Sequence, residues 1–180
     1  MDIPVNELVS ECKKGNKKAQ FMIYKQYYKA MYNTSLRIVN DSFEAEDIMQ
    51  ESFLAAFTKL DTFSGKVTFG AWLKRIVVNN SITALKKNNK YNLVSLEKVK
   101  IEEHDEEEQQ DYRLIPPKVV LKKVNELKSN YKLAITLNLI EGYDYEEIAQ
   151  IMDISYQNSR TTVSRAKNKL KQLLSSNYEQ

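Results

Sequence analysis

The chain has 180 residues, 42% of them hydrophobic and 28% charged, with a net charge of +3; this leaves room for one ordinary domain or two small ones, and too little for a barrel enzyme with a deep core. Four scattered glycines (Gly15, Gly65, Gly70, Gly142) exclude a phosphate-cradling loop or a dinucleotide fingerprint, both of which need clustered glycines, and with three prolines they point to helices joined by few turns. One cysteine, Cys12, excludes an internal disulfide, and the lack of a cleavable apolar leader or an apolar stretch of membrane-spanning length gives the expectation of a cytoplasmic protein with no membrane span.

Counted by stretch, residues 1–90 carry 14 bases and 9 acids, 91–116 carry 3 and 8, and 117–180 carry 10 and 7. Two basic blocks therefore flank an acidic one. The first block is expected to hold four helices around one core. A short helix over 5–14 precedes a long one over 16–39 with Phe21, Tyr24, Tyr28, Met31, Ser35 and Leu36 inward. In the third, Ala45, Ile48, Met49, Ser52, Phe53, Ala56, Phe57 and Leu60 recur at helical spacing, and Asp41 or Ser42 is placed to cap it. Its opposite face displays Asp47, Gln50, Glu51 and Leu54 at i, i+3, i+4 and i+7. Such an acidic stripe repels phosphate and suits a protein partner, where charge complementarity sets register and speeds encounter. After a loop over 61–67, a fourth helix from about Thr68 to Lys87 turns Phe69, Leu73, Ile76 and Val77 to one face and offers Lys74, Arg75, Asn79, Asn80, Lys86 and Lys87. These groups can neutralise phosphates or hydrogen-bond bases. Phe63 and Lys66 in the loop and the single Trp72 add aromatic and basic surface for an unpaired base, worth about 1 to 3 kcal/mol per stacked base. The competing reading of Trp72 and Phe69 is as core residues.

Residues 91–116 include the run Glu102 to Asp111, whose like charges and low apolar content suit a solvated linker between domains. Ile115, Pro116 and Pro117 close it, and proline at a first helical position opens the next helix. Helices are expected over 117–128, 131–140, 145–152 and 156–174. Asp144 and Glu147 form a capping box for the third of these, and after Asp153-Ile154-Ser155 the last helix starts with Ser155 as its cap. That is helix-turn-helix spacing, in which the first helix braces the second and the second enters the major groove. Tyr156, Gln157, Asn158, Arg160, Thr161 and Ser164 occupy its exposed turns. Arg165 and Lys167, with Lys169 and Lys171, supply charge for phosphates, while Val163, Ala166, Leu170 and Leu173 face inward.

Three stretches in order, Glu44-Ala-Glu-Asp-Ile-Met-Gln-Glu-Ser-Phe53, Phe69-Gly-Ala-Trp-Leu-Lys-Arg-Ile-Val-Val-Asn79 and Tyr145-Glu-Glu-Ile-Ala-Gln-Ile-Met152 with its basic helix, resemble the extracytoplasmic-function (ECF) subgroup of the sigma-70 family of bacterial transcription initiation factors. The resemblance covers Asn6 to Leu174. It implies an all-α adaptor of two small helical domains: region 2 over 1–90, an acidic linker over 91–116 and region 4 over 117–180. It also implies binding to core RNA polymerase, through the coiled coil of the largest subunit and the flap, together with promoter recognition and strand opening. The third helix would hold that coiled coil, Asn79 or Asn80 with the 62–67 loop would read the minus-ten element, and the last helix would read the minus-thirty-five element. An anti-sigma factor is an implied partner.

The chain departs from the family pattern where Thr83 replaces a common aspartate and Lys86 and Lys87 replace arginines, removing bidentate guanidinium contacts. Asn158-Ser159 replaces a frequent Thr-Val, and Thr162 a frequent arginine. His104 sits on a charged run that fixes no ligand geometry, so no metal, cofactor or catalytic residue is expected. Two other functions fit parts of the pattern: a stand-alone helix-turn-helix regulator, and a sigma-like decoy that occupies polymerase without directing transcription.

Overall fold

The computed structural model describes residues 3–87 and 115–175, and all of their regular structure is helical. The chain divides into two compact units, Met1–Lys90 and Tyr91–Gln180. The acidic run and His104 lie outside the described residues. No described helix is long and apolar enough to cross a membrane.

The first unit holds α1 (Val5–Lys13), α2 (Lys17–Val39), α3 (Ser42–Thr58), a single 3-10 turn (Leu60–Thr62) and α4 (Phe69–Lys87). The starts of α2, α3 and α4 follow from side-chain caps. Asn16 accepts from the amides of Lys18 and Ala19, and Asp41, rather than Ser42, accepts from Phe43 and Glu44. Thr68 Oγ1 accepts from the Ala71 amide at 3.3 Å at the head of α4. α2 ends at Asn40, whose φ of 58° is the left-handed conformation that asparagine tolerates.

The core joins Leu8, Val9 and Cys12 of α1 to Ile23 and Met31 of α2, Met49, Phe53 and Ala56 of α3, and Phe69, Leu73 and Val77 of α4. On α2 the inward register differs from the expected one: Phe21 is 61% exposed and Ile23 is fully buried in its place, while Leu36 is only half-buried. Phe21, Met22, Ile23 and Tyr24 form a continuous apolar run, and packing against the other helices of the unit selects which of them points inward. Polar contacts also cross this core. Ser81 Oγ lies 3.1 Å from Ser35 Oγ, joining α4 to α2, and Asn80 Nδ2 donates to Ser52 Oγ at 2.9 Å, joining α4 to α3. The three serines are fully buried, and Ser52 and Ser81 also donate to carbonyls four residues back, so no hydroxyl among them is wasted.

The second unit holds α5 (Pro117–Glu126), α6 (Ser129–Ile135), α7 (Tyr145–Met152) and α8 (Tyr156–Ser175). Helix 131–140 is not continuous. α6 widens into a π turn over Thr136–Ile140, where the Glu141 amide donates to the Thr136 carbonyl and the Tyr143 amide to that of Leu137, both at 2.9 Å. Gly142, at φ 79°, supplies the left-handed residue that ends it. Val124, Leu127, Ile135, Ala166, Leu170 and Leu174 form the core, with Leu173 half-buried beside it, so the deepest residue of the last turn is Leu174 rather than Leu173.

Candidate polymerase and nucleic-acid interfaces

α3 has a buried and an exposed face, with Phe57, expected inward, only half-buried. Ala45, Ile48, Met49, Ser52, Phe53 and Ala56 are buried, whereas Asp47, Gln50, Glu51 and Leu54 are exposed. Leu54 is 69% exposed, and Phe43, which the expected stripe omitted, is 83% exposed. Phe43, Asp47, Gln50 and Leu54 fall at i, i+4, i+7 and i+11, so Phe43 extends the stripe by one turn to about 16 Å. An apolar residue at i−4 from the first acidic position was the available signal. The result is an acidic strip with an exposed apolar side chain near each end.

The second surface is built around the 61–67 segment and α4. Phe63, Phe69 and Trp72 pack against one another, with centroids 5.4 to 5.6 Å apart; Phe69 is buried, while Phe63 and Trp72 are half-buried. Trp72 is therefore a wall of the core on one side and surface on the other. Gly65 takes a φ of 75° beside the exposed Lys66. Along α4, Arg75, Asn79, Thr83 and Lys86 fall at i, i+4, i+8 and i+11, with Asn79, Thr83, Lys86 and Lys87 exposed and Lys74 and Arg75 half-buried. The two asparagines separate here: Asn79 faces solvent, and the Asn80 amide is committed to Ser52 inside the unit.

In the second unit Asp144 Oδ1 accepts from the Glu147 amide at 2.8 Å and Glu147 Oε2 from the Asp144 amide at 3.1 Å, completing the capping box of α7. The turn to α8 is only three residues long. Asp153 adopts φ 59°, the Ile154 amide donates to the Ala149 carbonyl at 3.0 Å, and Ser155 Oγ accepts from the Asn158 amide at 3.2 Å. α8 turns Ser159, Thr162, Val163, Ala166 and Leu170 inward, and Tyr156, Gln157, Asn158, Arg160 and Ser164 outward. Thr161, Arg165 and Lys167 are half-buried at the edges of the exposed face. Thr162, at the position where arginine is common, is buried and cannot reach a nucleic acid. Ser159 Oγ is buried with no hydrogen-bond partner among the described residues.

Comparison with known proteins accounts for both units. The Sigma-70 region 2 family model matches residues 23–91 and the Sigma-70 region 4 model residues 118–170. The ECF RNA polymerase sigma-E factor of Haemophilus influenzae is 30% identical over 170 residues, covering 89% of each chain. The RNA polymerase sigma factor YlaC of Bacillus subtilis is 26% identical over 161 residues, covering 88% of this chain and 93% of its own. Among solved structures, the sigma factor RpoE in complex with the anti-sigma factor NepR from Bartonella quintana superposes with a TM-score of 0.57 at 25% identity, covering 86% of this chain and 95% of that one. With both units matched in order and the fold shared, the chain belongs to the ECF subgroup of the sigma-70 family and is an initiation factor that directs RNA polymerase to promoters.

Proposed function

We propose that the first unit docks on core RNA polymerase through the outer stripe of α3 and opens promoter DNA with the 63–67 segment and α4, while α8 of the second unit reads an upstream duplex element. The two faces of α3, with Ala45, Ile48, Met49, Ser52, Phe53 and Ala56 buried and Asp47, Gln50, Glu51 and Leu54 exposed, support the docking assignment. Phe43 joins that set. Carboxylates at its centre favour a basic partner and disfavour DNA, and the exposed leucine and phenylalanine supply the desolvated contacts that hold it. A stand-alone DNA-binding regulator would have no use for this stripe, and a decoy would have none for the basic, base-stacking surface of α4.

On the DNA side, Lys66, Lys86 and Lys87 hold phosphates, with Lys74 and Arg75 beside them. Asn79 presents an amide to a flipped base, and Phe63 and Trp72 offer the half-exposed aromatic wall against which such a base can rest. Asn80 belongs to the scaffold that positions Asn79. In α8, Gln157, Arg160 and Ser164 lie along the centre of the outward face and read base edges, with Tyr156, Asn158 and Thr161 flanking them. Arg165 and Lys167 at the edges, with Lys171, track phosphates. An anti-sigma factor, as the Bartonella quintana relative has, is proposed as the partner that keeps these surfaces covered. Run-off transcription with purified protein, bacterial core polymerase and promoter fragments from the source genome tests the whole reading. Specific starts that depend on the protein are expected; core binding without any start would turn the reading to a decoy, and duplex binding that ignores core would turn it to a stand-alone regulator.

A further inference from the structure

The turn between α1 and α2 and the first half of α2 carry a second basic surface that the assigned interfaces do not use. Lys13, Lys14, Lys17 and Lys18 fall within six residues and are all exposed, and Phe21 and Lys25 continue them at i+4 and i+8 from Lys17. Phe21 is 61% exposed, with Lys25 Nζ 5.7 Å from the centre of its ring. The whole of α2, 23 residues, contains no aspartate or glutamate. The nearby Glu11 is engaged by Lys14 at 2.7 Å and by Asn16 at 3.3 Å.

This surface abuts the strand-opening segment, because Lys13 Nζ donates to the carbonyl of Phe63 at 3.4 Å. From Lys17 to Lys25 it runs for about 12 Å of helix axis. Lysines alternating with an exposed aromatic ring are what an unpaired strand needs: cations for its phosphates and a flat apolar face for a base. A duplex would engage the lysines but leave the ring unused, and an acidic protein would not require continuity with the 63–67 segment.

We infer that Lys13, Lys17, Lys18, Phe21 and Lys25 form a second single-strand site, which holds the unpaired DNA strand as it leaves the 63–67 segment. The inference rests on the assignment of that segment to strand opening. It predicts that the affinity of holoenzyme for opened promoter DNA grows with the length of unpaired strand beyond the minus-ten element, and that this growth depends on α2.

The test uses holoenzyme and forked promoter fragments, built on a start located by run-off transcription, whose unpaired strand ends either at the minus-ten element or in a further tail of thymidines. Wild type is expected to bind the tailed fork more tightly. The triple variant Lys17→Gln, Lys18→Gln, Lys25→Gln should bind the short fork as wild type does, lose the gain from the tail, and lower the salt slope on the tailed fork by about 2, near 0.7 for each lost phosphate contact. Phe21→Ala should lose roughly tenfold on the tailed fork alone, as for one unstacked base. A tail gain unchanged in these variants, with the short fork still preferring an intact over a scrambled minus-ten sequence, overturns the inference and leaves the strand-opening site standing. Indifference of wild type to the scrambled sequence overturns both. Weaker binding of the variants to core polymerase without DNA would reassign the surface to a protein partner and overturn the inference as well.

Discussion

Replacing Asn80 with alanine tests whether the two neighbouring asparagines of α4 have different work. Asn80 is half-buried and its amide spans from α4 to α3 at 2.9 Å, whereas Asn79 is exposed. A net intramolecular hydrogen bond of this kind contributes about 1 kcal/mol. Ser52 Oγ retains the Ile48 carbonyl at 2.6 Å when Asn80 is removed, so Asn80→Ala does not orphan the hydroxyl and should cost about 1 kcal/mol rather than the larger desolvation penalty. With a urea m-value of about 1 to 1.5 kcal/mol per molar for a unit of this size, the midpoint falls by about 0.7 to 1 M. The fluorescence of Trp72, the single tryptophan, reports the first unit alone in the full-length protein. Asn79→Ala should leave the midpoint within about 0.5 M of wild type, since exposed substitutions stay within about 0.5 kcal/mol. In run-off assays well below the unfolding midpoint the order reverses, with Asn79→Ala the more damaging. A double-mutant cycle of Asn80→Ala with Ser52→Ala should give a coupling of about 1 kcal/mol. Coupling near zero, or equal destabilisation by the two asparagine variants, would refute the division of labour.

Glu51→Lys combined with Leu54→Ala should weaken binding to core polymerase by tenfold or more without changing far-ultraviolet circular dichroism, and Phe43→Ala should do so on its own to a smaller degree; both are read by competition for core. Lys167→Gln or Lys171→Gln should weaken binding to all duplexes and flatten its salt dependence, whereas Gln157→Ala or Arg160→Ala should change which sequences are preferred, at about 1 to 3 kcal/mol per base contact. Ser159→Ala removes a buried hydroxyl that has no partner among the described residues and should leave the thermal midpoint unchanged or raise it by a few degrees. Cys12 is buried, and burial, followed by the charge of Glu11, pushes its thiol pKa up, so labelling by a thiol reagent should be slow at neutral pH and appear only as urea unfolds the first unit. Burial likewise pushes the Tyr27 hydroxyl up; because the folded state then holds its proton longer than the unfolded state, stability present below pH 10 falls as the pH rises further, and Tyr27→Phe should lessen that fall.

The helices of both units were legible wherever caps and periodicity agreed. Asp41, Asp144 and Ser155 stand where local hydrogen bonding demands them, and the outer stripe of α3 follows from seven apolar residues and Ser52 at helical spacing. Phe21 was not legible, because four consecutive apolar residues satisfy any register and only contacts with other helices choose Ile23. The role of Asn80 depends on a partner 28 residues away, which spacing along one helix cannot supply. Phe43 was missed for a different reason: next to a capping aspartate, an apolar residue reads as part of a helix start rather than as the end of an interface. The π turn after α6 carries no proline, and its glycine lies two residues beyond the turn, so the pattern gave no warning that the helix would widen there.

In α8 the residues facing the core and those facing outward do not overlap. Val163, Ala166 and Leu170 are buried and hold the helix in place, while Gln157, Arg160 and Ser164 are exposed. Stability and the proposed promoter choice would thus rest on separate letters of the same twenty-residue helix. Substitution at the outward positions costs little folding free energy, so preference for an upstream element can drift while the domain stays intact, and a lineage of such factors can acquire new target genes one exposed side chain at a time.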